Sequence, residues 1–156
     1  ACIGGGVDLI AACDIRLASS DASFSVREAK VAIVADIGSL QRLPSIIGAG
    51  HLAELALTGK DIDADRAAEI NLVNHVIDGG SDDVLAAAME MAADIAANSP
   101  LAVEGTKRVL AANDGHTIAE GLDFVADFNT MYINSNDLIE AMTSFMEKRP
   151  GSYTGT

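Results

Sequence analysis

The chain has 156 residues, 49% of them hydrophobic, and its 10 Lys and Arg against 23 Asp and Glu give a formal charge of −13. That length and apolar content suit a folded domain with a buried core and exclude intrinsic disorder. The acidity, the absence of Trp and a total of only four Phe and two Tyr argue against a nucleic-acid partner, which needs Lys and Arg for phosphates and rings for stacking.

The first sixty residues alternate short elements with glycine. Gly4-Gly5-Gly6 breaks the chain, and Val7 to Cys13 then reads as a short buried helix. Asp14 to Ala18 and Ser23 to Val26 carry strand-type residues, parted by the turn-like Ser19-Ser20-Asp21. Gly38 to Ile47 has helical spacing, with Pro44 expected to divide it into two pieces. A helix over His51 to Leu57 should stop at Thr58-Gly59, where glycine takes the left-handed cap. Asp63 suits the N-cap of a helix over Ala64 to Ile70, and Leu72 to Ile77 reads as a strand.

From Ser81 onward the pattern is helical. Leu85, Ala88, Met89, Ala92, Ile95 and Ala96 form one apolar stripe. Ser99-Pro100 then starts a second helix, running to about Ala112, and Thr117 with Glu120 fits a capping box opening a third. A fourth, from Asn136 to about Lys148, precedes a polar tail. Short strands and helices followed by helices imply an α/β layout. The acids gather late: residues 1–50 hold five acids and four bases, residues 51–100 ten and two, residues 101–156 eight and four. They read as solvated helical faces.

No run approaches the ~18 apolar residues of a membrane span, so no membrane partner is expected. Cys2 and Cys13 lack the spacing of a zinc site or a disulfide scaffold. They read as small buried residues of a reducing, cytoplasmic setting, and no metal is expected.

Two features could carry chemistry. Glycines entering a helix let a ligand oxygen approach unpaired backbone N–H groups. The register Gly4, Gly6, Leu9 fails the dinucleotide fingerprint, and no Gly-Lys-Ser/Thr makes a phosphate loop. The second feature is a set of acids in apolar runs: Asp8 in Val7-Asp8-Leu9-Ile10, Glu28 after Ser23-Phe24-Ser25-Val26, and Asp36 after Val31 to Ala35. Acids in such surroundings are costly to ionise and suit proton transfer near neutral pH. His51, His75 and His116 stand alone, without a nucleophile elbow or a metal spacing.

Ile3-Gly4-Gly5-Gly6-Val7-Asp8-Leu9, Ala12-Cys13-Asp14-Ile15-Arg16, Phe24-Ser25-Val26-Arg27-Glu28, Ala35-Asp36-Ile37-Gly38 and Leu40-Gln41-Arg42-Leu43-Pro44 resemble, in order, motifs of the crotonase (enoyl-CoA hydratase/isomerase) superfamily. Among its members they are most similar to the dienoyl-CoA isomerases, and the resemblance runs from Ala1 to about Lys148. It implies a fold: the C-terminal part of a ββα spiral core over residues 1–98, then a helical oligomerisation segment and polar tail over residues 99–156. It implies an acyl-CoA substrate without metal or redox cofactor, and a homotrimer or hexamer.

The same resemblance implies roles. Gly5 donates its N–H to the thioester oxygen, and Glu28 and Asp36 form the proton-transfer pair that converts a 3,5-diene to a 2,4-diene, with Asp8 assisting. Hydratases carry Glu at Asp8, Glu again at Glu28, and Gly at Asp36. Lys30 stands where the isomerases have an acid, and Ala32 where the superfamily has glycine. The start at Ala1, without Met, leads to the expectation of a missing upstream segment holding the other oxyanion donor and the adenine pocket. Two further readings stay open: a 2-enoyl-CoA hydratase, and an inactive fragment or assembly module.

Overall fold

The structure is a computed structural model describing residues 1–156. The chain divides into two units, Ala1–Ala88 and Met89–Thr156.

In the first unit, strand β1 (Cys2–Ile3) leads into helix α1 (Gly5–Ala11), followed by β2 (Leu17–Ser19) and β3 (Ser23–Ser25). A 3-10 turn (Glu28–Val31) precedes α2 (Ser39–Ile47) and α3 (Ala49–Thr58). Then come β4 (Ile62–Asp63), α4 (Ala64–Glu69), β5 (His75–Ile77) and α5 (Ser81–Ala96), which runs past the end of the unit. β3 is the central strand of one sheet, parallel to β1 and antiparallel to β4. β2 and β5 form a separate parallel pair, Leu17 opposite His75 and Ser19 opposite Ile77. Val7, Phe24, Leu43, Ile47, Leu55 and Leu72 lie in the core that these elements share. This is the mixed α/β arrangement that the sequence implied.

Local signals act where expected. The Asp63 side chain accepts from Arg66 N at the start of α4, and Gly59 ends α3 at φ 59°. Elsewhere tertiary contacts moved the boundaries. α1 starts at Gly5, before Val7, because Gly4 turns at φ 54° and its carbonyl accepts Val7 N at 2.7 Å and Asp8 N at 3.2 Å. β2 starts only at Leu17, because Arg16 is tied to the 72–74 segment through Leu72 O and Asn74 Oδ1. Leu72 and Val73 are buried but outside β5, since both N–H groups turn back to Ala67 O.

Pro44 does not divide α2. The helix runs on through it, with the buried Leu43 and Ile47 holding one face in the core. The run 31–34, expected to give Asp36 apolar surroundings, is exposed, Val34 by 74%. Cys13 is also exposed and Cys2 half-buried, so the expectation of two buried cysteines is corrected; burial raises the Cys2 thiol above its ordinary pKa.

The second unit holds α6 (Pro100–Ala112), α7 (Ile118–Tyr132) and α8 (Asn136–Glu147). Ser99 caps α6 with Pro100 in its first turn, and Thr117 with Glu120 forms the capping box of α7. The Phe128 ring occupies the space over Gly105. The tail is strapped back by acids: Thr154 N and Gly155 N donate to Asp137, and Ser152 N to Glu140. No residue of α5 is buried, and large apolar side chains of α7 and α8 stay exposed, Phe145 by 84%. No helix is long and apolar enough to cross a membrane.

Candidate active site

Parallel pairing of β1 with β3 sets the site. Because the two strands run the same way, with Ile3 opposite Ser25, the residues that follow each strand emerge side by side. Gly4 N donates to Ser25 O at 2.9 Å and closes the ladder. Beyond that point one chain becomes Gly4-Gly5 at the start of α1 and the other becomes Arg27-Glu28. Ligand sites in parallel sheets characteristically lie beyond such carboxyl ends.

Glu28 lies against the glycine turn: a Cβ on Gly4 would sit 3.1 Å from Glu28 Oε1. With its positive φ as well, this position favours glycine twice over. Glu28 Oε2 is buried and has no hydrogen-bond partner. Unpaired buried polar atoms are rare in folded proteins, because a carboxylate oxygen without a donor bears its full desolvation cost. One residue after Gly4, the Gly5 N–H is one of the unpaired donors of a helix start. An acid with a free oxygen and a free N–H thus stand at one turn.

Glu28 is also the only ionisable residue lining a cavity of about 390 Å³. The other walls are apolar, among them Val26, Ile33, Ala35, Leu40, Leu52 and Leu57. Two ties fix the segment that carries Glu28. Ser25 Oγ donates to Gly59 O and Lys60 O, both at 3.1 Å. Arg27 pairs with Asp61, whose carboxyl is held below its ordinary pKa chiefly by that hydrogen bond. Ala32 ends the 3-10 turn at φ 60°, the left-handed conformation that suits glycine.

The remaining predicted acids are placed differently. Asp8 is buried, 4% exposed, and its Oδ1 accepts from Ser39 N at 2.8 Å and Ser39 Oγ at 2.5 Å. Asp36 follows the buried Ala35 but is itself exposed, without a hydrogen bond or ion pair. The structure therefore joins Gly5 and Glu28 at one turn, turns Asp8 toward Ser39, and leaves Asp36 in the loop before α2. Ser39, Arg27 and Asp61 escaped the sequence reading. Only Ser39 left a signal there, as a polar residue opening a helix directly after Gly38.

A larger cavity, about 500 Å³, lies in the second unit, and its one acid, Asp137, is engaged by Ser99, Thr154 and Gly155. It offers no free acid. No group of three or more His, Cys, Asp or Glu side chains gathers as metal ligands would.

A parallel-strand turn with a free backbone donor, beside an acid that lines an apolar cavity, has the parts to bind a ligand oxygen and to exchange a proton in apolar surroundings. The description of the enoyl-CoA hydratase/isomerase family matches residues 1–156, and the chain belongs to that family. A mitochondrial protein of Dictyostelium discoideum named Delta(3,5)-Delta(2,4)-dienoyl-CoA isomerase is 57% identical over 149 residues, covering 96% of this chain and 50% of its own length. A peroxisomal Arabidopsis thaliana protein of the same name is 48% identical, with 96% and 53% covered. Among solved structures, an enoyl-CoA hydratase from Bacillus anthracis superposes with a TM-score of 0.94 at 35% identity, over 99% of this chain and 59% of that one. The chain spans about half the length of the curated relatives it matches.

Proposed function

We propose that the chain carries the proton-transfer part of an acyl-CoA isomerase site, converting a 3,5-dienoyl-CoA to its 2,4-isomer. The thioester oxygen accepts from the Gly5 N–H, and the acyl chain enters the apolar cavity. One acid of the pair Glu28 and Asp36 removes a proton from C2, giving a trienolate whose charge on oxygen faces the Gly5 donor. The other acid delivers a proton to C6, the double bonds move to 2,4, and no redox or metal chemistry is needed. The single observation that carries this reading is the placement of Glu28, which packs against the glycine turn, keeps a buried Oε2 without a partner and lines the apolar cavity. Identity of 57% and 48% to proteins named for this reaction supports it.

Hydration of a 2-enoyl-CoA is the second reading, favoured by the structural similarity to enoyl-CoA hydratases. It needs two acids on one water, yet Asp8, in the place of one of the hydratases' two glutamates, accepts from Ser39. The other oxyanion donor and the adenine pocket belong, in this proposal, to the half of the relatives' length not represented in these 156 residues. The exposed apolar faces of α7 and α8 support a homotrimer or hexamer over the reading as an inactive fragment.

The test is turnover of a 3,5-dienoyl-CoA followed by absorbance of the conjugated 2,4-product. Glu28→Gln and Asp36→Asn should each lower kcat by about 10²-fold or more, the usual contribution of a general acid or base, with circular dichroism unchanged. Hydration of a 2-enoyl-CoA without diene turnover would sink the isomerase reading.

A further inference from the structure

The Asp8 side chain is buried, and both donors to its Oδ1 belong to one residue 31 positions away. Asp8 sits in the first turn of α1, three residues after Gly5, so the rigid turn that carries the free N–H also carries this carboxylate. Ser39 opens α2, three residues after Asp36, and is fully buried. Between them, Gly38 turns at φ 117° and Ile37 O accepts from Arg42, so the 36–38 segment is braced onto the same helix.

Resting on the isomerase reading of the site, we propose that the Asp8–Ser39 pair is a latch setting the Gly5 donor relative to the Asp36 loop, with both members acting as positioning residues. A main-chain N–H and a hydroxyl from the same residue converge on one carboxylate oxygen, which fixes orientation as well as distance. Removing the Asp8 carboxylate leaves both buried Ser39 donors without their acceptor, whereas Ser39→Ala removes the hydroxyl and keeps the main-chain N–H on Asp8. Asp8 does not line the apolar cavity that Glu28 opens into, so its carboxylate stands apart from the acyl chain. What the reaction needs from it is an acceptor.

That requirement separates the latch from a proton-transfer role, since an amide oxygen at position 8 still accepts both Ser39 donors but cannot exchange a proton. The experiment measures kcat and KM for a 3,5-dienoyl-CoA, with the full chain, in Ser39→Ala, Asp8→Ala, Asp8→Asn and the Asp8→Ala/Ser39→Ala double variant. Ser39→Ala should lower kcat by about tenfold with KM within about twofold, the pattern of lost alignment in the transition state. Asp8→Asn should recover at least about tenfold in kcat over Asp8→Ala, and the double variant should be no slower than Asp8→Ala. A wild-type kcat in Ser39→Ala, or Asp8→Asn no faster than Asp8→Ala, overturns the latch.

Amide ¹H–¹⁵N spectra separate its failure from failure of the isomerase reading. If the unsubstituted protein does not turn over the diene, that reading falls, and Ser39→Ala still must shift the amide signals of both Gly5 and Asp36. Shifts confined to the residues flanking position 39 overturn the latch on their own.

Discussion

The two units bury apolar surface very differently. Every buried apolar side chain except Phe128 belongs to Ala1–Ala88, which shares one core among strands and helices. Met89–Thr156 relies on caps, a strapped tail and one ring over a glycine, and leaves Leu122, Met131, Met142 and Phe145 exposed. The first unit therefore has the packing needed to hold Gly4 against Glu28 at contact distance. The second has the apolar faces of a chain that completes its burial against other protein, the association proposed above.

The largest effect that would sharpen this contrast is Leu43→Ala. Leu43 is fully buried in the first unit, and its truncation should cost about 2–5 kcal/mol in urea unfolding. Phe145→Ser in the second unit should change that stability by less than about 0.5 kcal/mol and weaken association measured by light scattering. Equal losses for the two would erase the distinction.

Next in size, Gly105→Ala tests whether one ring contact organises the helical unit. A Cβ there would lie 2.4 Å from Phe128 Cε1, so the ring must move, at about 1–3 kcal/mol, visible in the melting temperature. A smaller change of opposite sign is expected in the first unit. Ala32→Gly relieves the left-handed conformation at φ 60° and should stabilise by about 1 kcal/mol. A stability gain alongside unchanged diene turnover would mark Ala32 as strain without a catalytic purpose.

The smallest effect is the acid response of the strapped tail. Arg149, then Ser152 N, hold the Glu140 carboxyl down from 4.5 to about 2. A carboxyl depressed in the folded state stabilises above its unfolded pKa, so this contribution is whole above pH 4.5 and is lost as pH falls toward about 2. Melting temperatures over that window should fall less steeply in Glu140→Gln than in the unsubstituted chain. Identical slopes would remove the strap from the account of acid stability.

Much of the fold was legible because its signals are local. Asp63, Ser99 and Thr117 cap from within three residues of the N–H they satisfy, and Gly59 ends α3 through its own backbone. Pro44 misled for a related reason: a missing N–H is visible in sequence, whereas the burial of Leu43 and Ile47 that keeps α2 continuous is not. At the site, the Gly4-Gly5 turn and Glu28 were each visible. Their meeting was not, since it depends on the register of β1 on β3 across more than twenty residues. The run 31–35 read as a buried setting for Asp36, yet its valines and Ile33 are exposed.

By itself the sequence determined the α/β class, the helix caps, the turn glycines and the order of motifs that resembles the enoyl-CoA hydratase/isomerase family. These follow from spacing and from groups that interact within a turn of one another. Tertiary structure alone decided what each acid faces: Glu28 the Gly4 turn and an apolar cavity, Asp8 the two donors of Ser39, Asp36 solvent. A carboxylate takes its chemistry from its burial and its partners, and for Asp8 and Glu28 those are supplied by residues distant in the chain.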